Sequence, residues 1–134
     1  MVFPNKDTRM IKYKISEDRK YLTINTFIKI KHEHPISEVI EFNNILIVRL
    51  FESEDKYTAT PNRNVLAYND RGEHLWTIEE VSSDNQFKPW TEIFIGNNEE
   101  MKKYDIEIEG EKLLATNWCE KIHQVDINTG KVRV

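Results

Sequence analysis

The chain has 134 residues, 39% hydrophobic and 31% charged, with a formal net charge of −4. That length supports one domain with a core of its own and not two of ordinary size, and the composition is not that of a chain that stays disordered. No apolar run approaches the roughly 20 residues that span a bilayer, the first residues lack the apolar stretch of a signal peptide, and Cys119 is alone, so the expectation is one domain over 1–134 in a reducing cytoplasm, away from membranes.

Residues 10–15 and 21–30 read as two strands around the turn Ser16-Glu-Asp-Arg-Lys20. Leu22, Ile24, Thr26, Ile28 and Ile30 share one face, and Tyr21, Thr23, Asn25, Phe27 and Lys29 share the other, the period of a half-buried strand. Pro35 ends this hairpin because it cannot donate to a ladder. Residues 36–42 alternate again, Asn43-Asn44 can turn the chain, and Ile45-Leu-Ile-Val-Arg-Leu-Phe51 is apolar enough for a central strand covered on both faces. Residues 52–62 are polar and read as a surface loop.

A tight hairpin follows, in which Asn69-Asp-Arg-Gly72 joins strands over 64–68 and 74–78. After a polar connection, Trp90 to Ile95 reads as a strand, and Asn98 to Lys103 as one helical turn. The last third is expected to hold strands at 104–108, 112–117, 121–126 and 131–134, with turns at Gly110, near Cys119-Glu120, and at Asn128-Thr-Gly130. Two four-strand meanders then correspond, 36–78 and 104–134, each with a polar turn ending in glycine.

Val65-Leu-Ala-Tyr-Asn-Asp-Arg-Gly-Glu-His-Leu-Trp76, with Leu114-Ala-Thr-Asn-Trp118 and Val125-Asp-Ile-Asn-Thr-Gly-Lys131, resembles blade hairpins of quinoprotein-type β-propellers over about a third of the chain. A propeller needs about four to eight blades and this chain has material for two, so the resemblance implies a local meander and no quinone site. The expected fold is all-β: antiparallel meanders, two blade-like four-strand units plus an N-terminal hairpin, packed as a sandwich or an open barrel.

The chemistry is sparse. His32-x-His34 could present two imidazoles on one face of a strand, but the only nearby third ligand is Glu33 on the opposite face, so the pair reads as loop histidines and no metal is assigned. Cys119 and His123 could meet across a hairpin, yet no orienting third group is identifiable, and Cys119 reads as a small apolar residue at a strand end. Each of the four glycines stands alone in a turn, which excludes a phosphate loop, and Trp76, Trp90 and Trp118 read as core anchors rather than stacking platforms. No catalytic residue, cofactor or metal site is expected.

Charge is more informative. Residues 1–31 hold eight Lys/Arg against three acids, net +5, which leaves −9 on residues 32–134. Carboxylates cluster at Glu79/Glu80, Glu99/Glu100 and Asp105, Glu107, Glu109. Such a field opposes non-specific nucleic-acid binding and suits a basic partner. In size, acidity and lack of catalytic residues the chain resembles, by type rather than motif, the immunity proteins with which bacteria neutralise toxins. That resemblance implies a protein-binding module presenting Glu52, Glu54, Asp55, Glu79, Glu80 and Asp84 to a basic toxin domain. The alternative is a scaffold that self-assembles through exposed strand edges; the oligomeric state is left open.

Overall fold

The structure, a computed structural model, describes residues 11–56, 61–81, 87–117 and 121–133. It is all-β, with three antiparallel sheets and none closed into a barrel. The first sheet contains β1 (Tyr13–Ile15), β2 (Tyr21–Ile24) and β3 (Ile28–Lys31). The second is the meander β4 (Ile36–Phe42), β5 (Ile45–Leu50), β6 (Val65–Tyr68) and β7 (His74–Thr77). The third is the meander β8 (Trp90–Gly96), β9 (Lys112–Asn117), β10 (Ile122–Val125) and β11 (Val132–Arg133). No helix of the described residues is long and apolar enough to cross a membrane.

β5 is the expected central strand, and it explains the stacking. Successive side chains point to opposite faces. Ile47 joins Val65, Ala67, Trp76 and Ile78 in a core shared with Trp90, Ile93, Leu113 and Ala115 of the third sheet. Leu46, Val48 and Leu50 join Leu22 and Ile24 of the first sheet in a second core on the other side. Each of the buried Leu, Ile and Val side chains among these contributes about 2 kcal/mol of apolar transfer. A strand with two apolar faces needs a cover on each, and the outer sheets provide them.

The long N-terminal strand expected over 21–30 is two strands. Asn25 and Thr26 adopt positive φ of 53° and 67° and turn the chain, pairing Leu22 with Ile30 and Ile24 with Ile28. The inward face is thus kept through the turn, except that Thr26 is exposed. The strand expected at 104–108 does not form. Both neighbours of β9 are taken, by β8 and β10, so the third sheet recruits Trp90–Gly96 as its first strand instead. Lys102–Tyr104 makes a 3-10 turn after α1 (Asn98–Met101), and Asp105 takes φ of 60°. Ile106 and Ile108 then pack with Met101, Phe94 and Leu114 on the outer face of the third sheet. Their alternation reports burial against a sheet rather than membership of one. Asp105, Glu107 and Glu109 face solvent from this cover. The helical turn at 98–103 forms as expected, capped by Asn97, whose side chain accepts from Glu100 N–H at 2.9 Å while Glu100 accepts from Asn97 N–H at 3.2 Å.

Polar clasps register the third sheet on the second. The buried Asn64 donates to Leu50 O at 2.8 Å and to Trp90 O at 3.0 Å, and accepts from Trp90 N–H at 2.9 Å. Glu38 on β4 accepts from Arg49 and also from Ile93 N–H of β8. Glu79 accepts from Val132 N–H at 3.0 Å, and Trp76 Nε1–H donates to Ile127 O at 2.7 Å.

The two matched turns do the same job. In each, glycine has positive φ and presses on the last strand of the preceding sheet: a Cβ on Gly72 would lie 2.3 Å from Ile28 of β3, and one on Gly130 2.5 Å from the Trp76 ring of β7. Gly130→Ala should therefore combine left-handed strain with overpacking and lower stability by about 2–4 kcal/mol. Gly110 also has positive φ but has nothing within 4 Å of its added Cβ, so Gly110→Ala should cost only about 1 kcal/mol. Urea unfolding of the two variants measures the difference, and equal losses would show that the turn–sheet contact contributes nothing.

Candidate functional site

The expected partner-facing carboxylates gather in part. Glu52, Glu54 and Asp55 follow β5, and Glu79 and Glu80 follow β7, at the same end of the second sheet. They are not equally available. Glu52 is only 7% exposed and is not without an interaction partner. Glu79 is engaged with Val132, and Glu80 accepts from Asn62 Nδ2 at 3.2 Å. Glu54 and Asp55 are exposed, in the turn closed by the Ser53–Lys56 bridge. Asp84 lies outside the described residues. The burial of Glu52 and the bond that the exposed Glu79 makes to Val132 are not reported by polarity alone.

The histidines are also placed differently from expectation. His32 is not a loop residue in water; it is 6% exposed, lodged between the first and second sheets. Its Nδ1 lies 3.3 Å from Lys20 O, a pure acceptor, which assigns the proton to Nδ1. Its Nε2 then accepts from the Tyr68 hydroxyl at 2.9 Å. Burial pushes the Tyr68 phenol up to about 12, so it stays protonated and able to donate. Both ring nitrogens are used, which leaves His32 no lone pair for a metal; His34 is half-buried in the following bend. Among the described residues no group of three or more His, Cys, Asp or Glu could hold a metal ion. Cys119 lies outside the described residues. Its suggested partner His123 stacks edge-on to Trp90 with centroids 5.6 Å apart, and neither His123 Nε2 nor Trp90 Nε1 has a hydrogen-bond partner among the described residues.

A further candidate surface lies on the outer face of the third sheet. α1 and the 3-10 turn cover part of that face and leave an open groove of about 680 Å³ beside them. Phe94, Met101 and Ile122 form an apolar floor, Tyr104 stands 52% exposed at the wall, and Glu92 and Glu99 are exposed at the rim. Glu100 lines it too but is used in the cap, and Lys103 is the one cation in the lining. The arrangement suits a long basic side chain, whose methylenes would lie on the floor while its charge meets carboxylate. The pair Glu99/Glu100 was visible in the sequence; Glu92 joins them only because the third sheet takes up residues 90–96. A smaller concavity of about 480 Å³ near Phe42 and Ile127 mixes Glu111 and Asp126 with Lys112, Lys131 and Arg133 and has no single sign.

A family model described as a domain of unknown function, DUF7957, matches residues 10–134. No curated protein and no solved structure matches the chain.

The buried His32 has a consequence for stability. Burial lowers its pKa below the ordinary 6.5, so the unfolded chain takes up this proton before the folded one does. The stabilisation is complete above pH 6.5 and is lost as pH falls toward the folded pKa, at a slope of at most about 1.4 kcal/mol per pH unit from this group. Thermal unfolding between pH 8 and pH 5 checks this on the order of one titrating group. The difference between the wild type and His32→Gln should narrow on acidification, and a constant difference would exclude His32 as the titrating group.

Proposed function

We propose that this chain, which belongs to that domain family, is a protein-binding module that takes up a basic partner, in the manner of a toxin-neutralising immunity protein. The observation that carries the reading is the groove on the third sheet, with apolar Phe94, Met101 and Ile122 below, Tyr104 at the wall, and Glu92 and Glu99 at the rim. Apolar area supplies affinity only where a partner fills it, and the rim charges select the sign of that partner and speed its approach. Glu54 and Asp55, exposed after β5, extend the acidic character of the surface.

The alternative is a scaffold that self-assembles through exposed strand edges; each of the three sheets is open, with two edge strands, and light scattering of the isolated protein separates this reading, which requires an oligomer, from the binding module.

The test compares capture by the wild type with capture by Glu92→Lys/Glu99→Lys, using lysate of the cells that make the protein. A stoichiometric basic protein should be retained by the wild type, and its association with the double variant should slow about tenfold at low salt, with a flatter salt dependence. Tyr104→Ala should shorten the lifetime of the complex instead. Capture and kinetics unaffected by all three substitutions would remove the groove from the interface.

A further inference from the structure

The first sheet has one apolar face and one basic face. Ile15, Leu22, Ile24, Ile28 and Ile30 point into the core. The opposite positions are Lys14 on β1, Tyr21 and Thr23 on β2, and Lys29 and Lys31 on β3, with Lys12 just before β1 on the same alternation. No carboxylate occupies this face of the three strands. Lys29 Nζ lies 4.6 Å and Lys31 Nζ 6.0 Å from the Tyr21 ring centroid, so the tyrosine holds two cations side by side. At the tip of the β2–β3 turn, next to this face, Phe27 is 89% exposed. The turn beneath it is anchored, because Asn25 Nδ2 donates to Asp70 O at 2.7 Å. An aromatic ring on a held turn with almost no contact of its own is available to a ligand.

We propose that this face binds single-stranded nucleic acid, with Lys12, Lys14, Lys29 and Lys31 meeting phosphates and Phe27 stacking on a base. Three considerations select that occupant. Exposed lysine–carboxylate pairs with a folded acidic protein are worth about 0–1 kcal/mol each, whereas a phosphate chain carries a charge at every residue and releases condensed counterions when lysines neutralise it. The face is only about four residues long, roughly 14 Å. Carboxylates bound it at both ends: Glu17, Asp18 and Glu33 at one, Asp70 and Glu73 beyond Phe27 at the other. A membrane or a duplex is wider than that strip and would meet those carboxylates; a single strand of a few nucleotides fits inside it. The whole-chain charge of −4 does not oppose this, because the negative excess belongs to residues 32–134 and screening over about 10 Å leaves a ligand on the face dominated by the nearby lysines. The inference is independent of the groove, which lies on the outer face of the third sheet.

The test is fluorescence anisotropy of a labelled oligothymidylate with the full chain. Binding should weaken with salt at a logarithmic slope of about −3, four phosphates at roughly −0.7 each. Lys29→Glu/Lys31→Glu should weaken it at least about tenfold and flatten the slope by about 1 or more. Phe27→Ala, at an exposed tip and therefore safe for folding, should weaken it roughly tenfold with the slope unchanged. Lys121→Glu/Lys131→Glu makes the same charge change on exposed positions of the third-sheet region and should stay within about twofold. The proposal is overturned by any of four results: no binding at low salt; equal loss in the Lys121/Lys131 control; a duplex bound as tightly as the single strand with no effect of Phe27→Ala; or lysine-dependent capture by phosphatidylserine vesicles without oligonucleotide binding.

Discussion

Everything in this fold follows from a central sheet that is apolar on both faces. β5 alternates Ile47 toward one core with Leu46, Val48 and Leu50 toward the other, and β6 repeats the division with Val65 and Ala67 against Leu66 and Tyr68. A sheet of this kind cannot leave either face in water, so the flanking sheets are a requirement of the central strands. The hydrophobic effect alone would allow them to slide. Directional bonds remove that freedom: Asn64 bonds both the N–H and the C=O of Trp90, and Glu38 receives the Ile93 N–H that the edge of β8 would otherwise leave without a strand partner. His32 and Tyr68 do the same between the first and second sheets.

The stack is closed differently at its two ends, and that difference partitions the surface chemistry. One end is a sheet face carrying lysines; the other is a sheet face partly roofed by a helical turn and the 106–108 segment. The charge asymmetry of the sequence is therefore a spatial separation of outer faces. Each of these outer faces has both charge and an exposed aromatic, Phe27 at one end and Tyr104 at the other.

The paired turns give the resemblance to blade hairpins a physical content. A polar turn ending in glycine recurs in the second and third sheets because the turn must lie directly on the strand that ends the preceding sheet, where Ile28 or Trp76 leaves no room for a side chain. That contact is a stacking device, and it carries no information about cofactors.

Local alternation and turn residues were enough to specify the all-β class, the hairpins around Asn69–Gly72 and Asn128–Gly130, the first four-strand meander, the double burial of β5 and the helical turn at 98–103, because each depends on residues within a few positions of one another. Tertiary structure decided which alternating segments became strands. Residues 104–108 and 90–96 both have apolar residues at period two, but the ladder beside β9 has only two places, and the loser packs across the sheet instead. It also decided what the polar residues do: the sequence showed His32, Glu52 and Glu79 as loop or surface groups, whereas His32 is buried against Tyr68, Glu52 is buried, and Glu79 clasps Val132. The groove was legible only as the carboxylate pair Glu99/Glu100, and the basic face only as an excess of lysine. Periodicity reports that a strand has two faces; only the packing of distant segments determines what each face meets.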